Sequence, residues 1–274
     1  MIRKYFKIII VLLAINISSC SVVGELWYER IDQYIANELL EYASFTEDQK
    51  EFIRGSTEDF KSWNTETELP KYKRLLFQFK ALDNETDIND IEDIYQSGKE
   101  LSISSRDFFL PYLIELCTTL SNNQIKEIEV HLKALSEEKK TSLKKETKDY
   151  QEVLGKSFVR FFRLLGVKLN AKQKNIIHLY ISNIEDSRYQ LINNKEEWDQ
   201  ELIRILALKN NNDFKYLLIE HINSLNSEDK NTRITINNIT AKIIASFDKK
   251  QLKRFQKRLA RFIKTIDEIM EANT

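Results

Sequence analysis

The chain has 274 residues, with 42 basic and 42 acidic side chains, 5 glycines and 2 prolines. Balanced charge removes the electrostatic footprint of a nucleic-acid binder, and so little glycine and proline leaves few residues for the tight turns of β-hairpins. Two cysteines, Cys20 and Cys117, are too few for a disulfide framework.

Taken in order, Arg3, Lys4 and Lys7 give a positive start, Ile8 to Ile15 are uninterrupted apolar residues, and small Ser18 and Ser19 lead into Cys20. This is the pattern of a secretory signal peptide over residues 1–19. A bilayer-spanning helix wants about 20 apolar residues, which disfavours a retained anchor. Ile17-Ser18-Ser19-Cys20 resembles the lipobox of bacterial lipoproteins. That resemblance implies a diacylglycerol on the Cys20 sulfur, cleavage before it, and acylation, as by palmitate, of its new amino group. More than one acyl chain is what stable anchoring requires. Ser21 stands where enteric lipoproteins kept at the inner membrane have aspartate, so the implied place is the outer membrane, facing the periplasm. Without residues 1–19 the chain holds 39 basic and 42 acidic residues. Residues 20–24 form the lipidated N-terminus and linker.

The body is helical in period. Apolar residues recur three and four apart at Ile125, Ile128, Leu132 and Leu135, at Ile176, Ile177, Tyr180, Ile181 and Ile184, and at Leu252, Phe255, Leu259, Phe262 and Ile266. The expected fold class is all-α, with long amphipathic helices packed as one extended multi-helix domain. A first helix runs from Trp27 to about Tyr42 and a second from Thr46 to about Trp63, with Gly55 a weak point. Pro70 suits the first turn of a third, ending near Leu82. Residues 87–120 read as helix broken near Ser102 to Ser105 or bent by Pro111. Residues 121–165 read as one very long helix or two in series, whose polar middle, Glu137 to Asp149, projects into solvent or forms a joint. Gly166 followed by Val167 is a helix stop.

Four segments share one pattern: an apolar residue, a capping residue, and glutamine three later. The pairs are Thr46 with Gln49, Ser121 with Gln124, Asn170 with Gln173, and Asp248 with Gln251. Each reads as a capping box with its hydrophobic staple, hence a helix start, with the cap worth about 1 kcal/mol. Thr46 to Asn170 is 124 residues and Ser121 to Asp248 is 127, which divides the body into helical halves 25–145 and 146–274. An internal duplication explains that spacing; so does the frequency of caps on unrelated amphipathic helices.

The lipobox, Trp27, Arg30, Ile31, Asp32 and Tyr34, the Phe45-Thr46-x-x-Gln49 cap, and Trp63 followed by Glu68-Leu69-Pro70-x-Tyr72 together resemble a family of Gram-negative lipoproteins known only as a domain of unknown function. That resemblance implies an all-helical mature chain and no activity. Where those relatives carry basic residues or histidine just after the tryptophan, this chain has Asn64 and Thr65. The Leu120-Ser121-x-x-Gln124 form is also similar to the motif of the Spy/CpxP periplasmic chaperones, which shield unfolded clients.

Chemistry finds little footing. His131, His178 and His221 sit alone at distant positions without metal-ligand spacing, and no nucleophile elbow, phosphate loop or dinucleotide fingerprint occurs. The expectation is no enzyme, no metal and no cofactor. One surface feature stands out: Lys249, Lys250, Lys253, Arg254, Lys257, Arg258, Arg261 and Lys264 share one helix with no acid among them. Such a face meets an anionic surface, or is a solvated face paired with acidic helices such as that around Glu92 and Asp93. The expected partners are the membrane through Cys20 and a protein client or envelope partner, with no nucleic acid. The expected function is a binding or scaffold domain, chaperone-like or an assembly element of the envelope.

Overall fold

The computed structural model describes residues 27–147, 149–224 and 230–273. The leader, Cys20 and the linker lie outside the described residues. Among the described residues every regular element is helical: α1 (Ile31–Leu40), α2 (Glu47–Trp63), a π-helical turn (Asn64–Glu68), α3 (Leu69–Ala81), α4 (Ile88–Thr119), α5 (Asn122–Lys145), α6 (Tyr150–Leu164), α7 (Ala171–Ile181), α8 (Arg188–Ala207), α9 (Phe214–Asn223), α10 (Lys230–Ala245) and α11 (Lys249–Ala272). None of these helices is long and apolar enough to cross a membrane.

Two hydrophobic cores hold the bundle. The first joins Tyr28 and Ile31 to buried residues of α3, the first half of α4, α6, α7, α10 and α11. The second joins Ala36, Phe45 and Ile53 to residues of α5, α8 and α9. Both cross position 145, so the sequence halves interleave in space. α3 packs on α11, α5 on α8, and α4 on α10. α11 supplies the largest single stripe, burying Phe255, Leu259, Phe262, Ile263, Ile266 and Ile269. At about 1.5–3 kcal/mol for each such side chain, that stripe contributes roughly 10 kcal/mol or more, an upper figure because the unfolded chain hides part of it.

Helix ends follow local chemistry. All four glutamine boxes carry both hydrogen bonds, from the glutamine N–H to the cap side chain and from the cap N–H to the glutamine. Asp87 starts α4 with a further box closed by Asp90. α6 ends on Gly166 at φ +81, with Val167 N–H donating to Phe162 O at 2.8 Å and Gly166 N–H to Arg163 O at 3.0 Å, the left-handed stop that glycine permits.

The structure differs from the sequence expectations at two places. α4 runs unbroken for 32 residues through both Ser102 to Ser105 and Pro111. Ser104 and Ser105 spend their hydroxyls on Glu68 and on the Leu101 carbonyl, and Pro111 and Asp107 lie exposed, where water can reach the carbonyl that proline leaves without a donor. α2 and α3 do not part at Trp63, because the π-turn carries the helix through to Pro70. As expected, residues 121–165 form two helices in series, with the joint between Lys145 and Tyr150 inside the polar segment, where Lys140 also pairs with Glu196 of α8 at 2.6 Å.

Candidate functional site

The π-turn is the irregular point of the frame, and such turns often mark functional sites. Leu69 N–H donates to Asn64 O, five residues back. The widened turn suits Pro70, which has no N–H to offer. It also aims Asn64, Thr65 and Glu68 inward, all buried. Tyr28 donates to Asn64 Oδ1 at 2.9 Å and lies 3.0 Å from Thr65 Oγ1. Glu68 is fully buried and bound to Lys71, while Ser104 donates to its Oε1 at 3.0 Å. Among the described residues Glu68 Oε2 and Asn64 Nδ2 have no hydrogen-bond partner. Burial pushes the Tyr28 and Tyr72 phenols up to about 12; hydrogen bonds from Thr65 and Ser105 respectively oppose it. Both tyrosines therefore remain neutral donors at any physiological pH.

Over this polar cluster lies an aromatic surface made by the end of α2 and the middle of α4. Trp63 stacks on Phe108 at 4.6 Å, Phe60 on Phe109 at 4.6 Å, and Phe108 on Tyr112 at 5.5 Å. Phe52 extends the row to Tyr112 at 6.1 Å, and Tyr112 donates to Asp59 at 2.9 Å. Only Phe60 of these six is buried; Phe52, Trp63, Phe108, Phe109 and Tyr112 are partly exposed. On α3, Phe77 is exposed beneath Lys80 and Phe79 packs against the first core.

The four capping boxes meet in pairs. Gln49 and Gln124, 75 residues apart, face each other amide to amide, and Gln173 and Gln251, 78 apart, do the same. In each pair every glutamine also donates to the carbonyl two residues before its partner's cap: Thr119 and Ser44 in the first pair, Ser246 and Lys168 in the second. All four glutamines are buried. Each clasp thus joins two helix starts and their lead-in segments through one amide ring.

The basic residues of α11 stay on the surface, with Arg258 half-buried. Arg258 donates to Leu164 O and lies over Phe262; burial and then the Arg261 charge lower its pKa. Lys264 pairs with Glu268. Glu92 does not serve this face, since it binds Arg233 and Asn237 of α10. Among the described residues Lys249, Lys250, Lys253, Arg254, Lys257 and Arg261 have no carboxylate partner.

The histidines are dispersed. His131 leans on Tyr42, His221 stacks on Trp198 at 4.4 Å with each residue's ring nitrogen hydrogen-bonded to the other's backbone carbonyl, and His178 is exposed on α7. Among the described residues no three His, Cys, Asp or Glu side chains converge on a metal position. Burial pushes the Cys117 thiol up to about 12, which leaves it an inert packing group.

A family model described as a family of unknown function (DUF6279) matches residues 41–230. The chain belongs to that family. The match takes in α2 to α9, hence the π-turn, the aromatic surface, the first clasp and one arm of the second. No curated protein and no solved structure matches the chain.

Proposed function

We propose that the chain is an outer-membrane lipoprotein, tethered through Cys20 and facing the periplasm, whose helical domain binds apolar segments of other proteins in a chaperone-like way. The observation that carries the binding reading is the aromatic surface of Phe52, Trp63, Phe108, Phe109 and Tyr112, left partly exposed beside the hydrogen-bonded π-turn. Contiguous apolar surface of this kind marks interaction sites, and aromatic side chains give large contact area at low entropic cost. The leader ending in Ile17-Ser18-Ser19-Cys20 supports the tether.

The test uses residues 21–274, the chain without its leader and without Cys20. A near-equimolar amount should suppress aggregation of a heat-denatured test protein without ATP and bind an apolar dye, and Phe108→Ser should lose both while retaining the helical circular dichroism. Unchanged aggregation with no dye binding would sink the client reading. A second reading, an assembly element that holds a folded envelope partner, rests on the same surface and would then show as one specific partner captured from the envelope.

A further inference from the structure

A second surface is built from two acid-free segments that lie far apart in sequence. Residues 156–174 carry Lys156, Arg160, Arg163, Lys168, Lys172 and Lys174, and residues 249–264 carry the eight basic residues of α11, with no acid in either. The fold joins them at the α6 stop. A Cβ on Gly166 would lie 3.3 Å from Arg254 O and 3.4 Å from the Arg258 side chain, Arg258 donates to Leu164 O, and Gln251 donates to Lys168 O.

Between α6 and α7 this surface opens into a groove of about 520 Å³. Its floor is Val159, Ile177 and Ile181; its rim carries Lys156, Arg160, Arg163, Lys174 and His178. A Cβ on Gly155 would sit 3.2 Å from Ile181 Cδ1, so glycine there keeps the two helices close. Glu152 on the rim is already bound to Lys156. Among the described residues Arg160, Arg163 and Lys174 have no carboxylate partner.

Helix and clasp chemistry do not demand this charge. Superimposing Ser121 on Asp248 sets one lysine, Lys126, and two acids, Glu127 and Glu137, against the eight basic positions of α11. The groove beside the first clasp, about 610 Å³, is lined by Asp48, Glu115 and Glu127 and by no basic residue. The groove beside the first clasp is thus acidic where the α6–α7 groove is mainly basic.

We propose that the α6–α7 groove and the basic face of α11 form a docking site for an anionic membrane surface, with one phosphate-bearing lipid headgroup in the groove. Cations on the rim meet the phosphate, and the apolar floor takes the glycerol and first methylenes, which free phosphate would leave unfilled. The groove lining holds no Phe, Tyr or Trp, the aromatic platforms on which single-stranded nucleic acid stacks its bases. Basic residues near such a surface each contribute about 1 kcal/mol. The proposal deepens the envelope reading and rests on it for the identity of the membrane.

Residues 21–274, which cannot be acylated at Cys20, should co-sediment with vesicles of phosphatidylglycerol mixed with phosphatidylcholine, release at high salt, and ignore pure phosphatidylcholine. Arg160→Glu, Arg163→Glu and Lys174→Glu combined should weaken binding by more than about a hundredfold. Lys144→Glu with Lys145→Glu, on the exposed end of α5, should leave it within a few-fold, and both variants should match the parent in circular dichroism. Equal binding to neutral vesicles, indifference to the triple change, displacement by inorganic phosphate beyond chloride at equal ionic strength, or preference for single-stranded nucleic acid would each overturn the site. An unacylated Cys20 in cells would defeat the anchor without changing these vesicle results.

Discussion

Gln251→Leu removes an amide of similar volume from a place 8 % exposed. Its Oε1 accepts from Asp248 N–H at 3.1 Å and from Gln173 Nε2 at 3.0 Å; its Nε2 donates to Lys168 O at 2.9 Å and to Gln173 Oε1 at 3.0 Å. Gln173 keeps its bonds to Asn170 N–H and Ser246, so the group most fully orphaned is the Asp248 N–H. A lost bond costs about 1 kcal/mol and an orphaned buried donor about 1–3 kcal/mol, which puts the variant near 3 kcal/mol of lost stability. Gln173→Leu should cost about the same. In the double variant the amide ring is lost once rather than twice, so its cost should fall short of the sum by about 1–2 kcal/mol. Urea unfolding at constant m reads all three differences. Additivity within about 0.3 kcal/mol, or single losses below about 1 kcal/mol, would mean that the clasp does not couple the two helix starts.

Three further outcomes follow from the same reasoning. Cys20→Ser removes the sulfur that takes the lipid, so a fractionation blot should show an unprocessed or mislocalised precursor; normal membrane partitioning with the leader removed would contradict the lipoprotein reading. Ser121→Ala and Asp248→Ala should each lower urea stability by about 1 kcal/mol, whereas Ser142→Ala inside α5 should change it little; equal effects would misplace the boundaries. The Asn89 and Asp90 N–H groups hold the Asp87 carboxyl below the ordinary aspartate range. Its contribution is therefore present above the unfolded pKa and lost as pH falls through the lowered folded one, so Asp87→Asn should flatten the acid limb of a plot of melting temperature against pH, and an unaltered limb would exclude the carboxylate as its cause.

What was legible in the sequence was local. A cap and its glutamine lie three residues apart, so each box announces one helix start by itself, and Gly166 with Val167 announces a stop. Which boxes meet was not legible, because pairing Gln49 with Gln124 and Gln173 with Gln251 depends on how helices return across 75 and 78 residues. The π-turn was hidden for a different reason: Asn64 to Glu68 are all polar and read as a break between two helices, and a turn widened by one residue leaves no compositional mark of its own. Pro111 misled because its cost depends on whether the Asp107 carbonyl faces water, a tertiary fact. The Asp87-x-x-Asp90 box was readable but fell outside the glutamine pattern. The aromatic surface drew on Phe52, Trp63 and Phe108, whose fates as core or surface are identical in sequence and diverge only when α4 is laid beside α2.

The client-binding claim is tested most directly in cells, with a photo-crosslinking phenylalanine analogue at Tyr112, beside the aromatic stack, and in a second strain at Tyr216, which is 66 % exposed on α9. The account predicts protein adducts from the Tyr112 position that increase when envelope proteins are denatured by heat, and few from Tyr216. Equal adducts from both positions, or none from Tyr112 under heat stress, would contradict it.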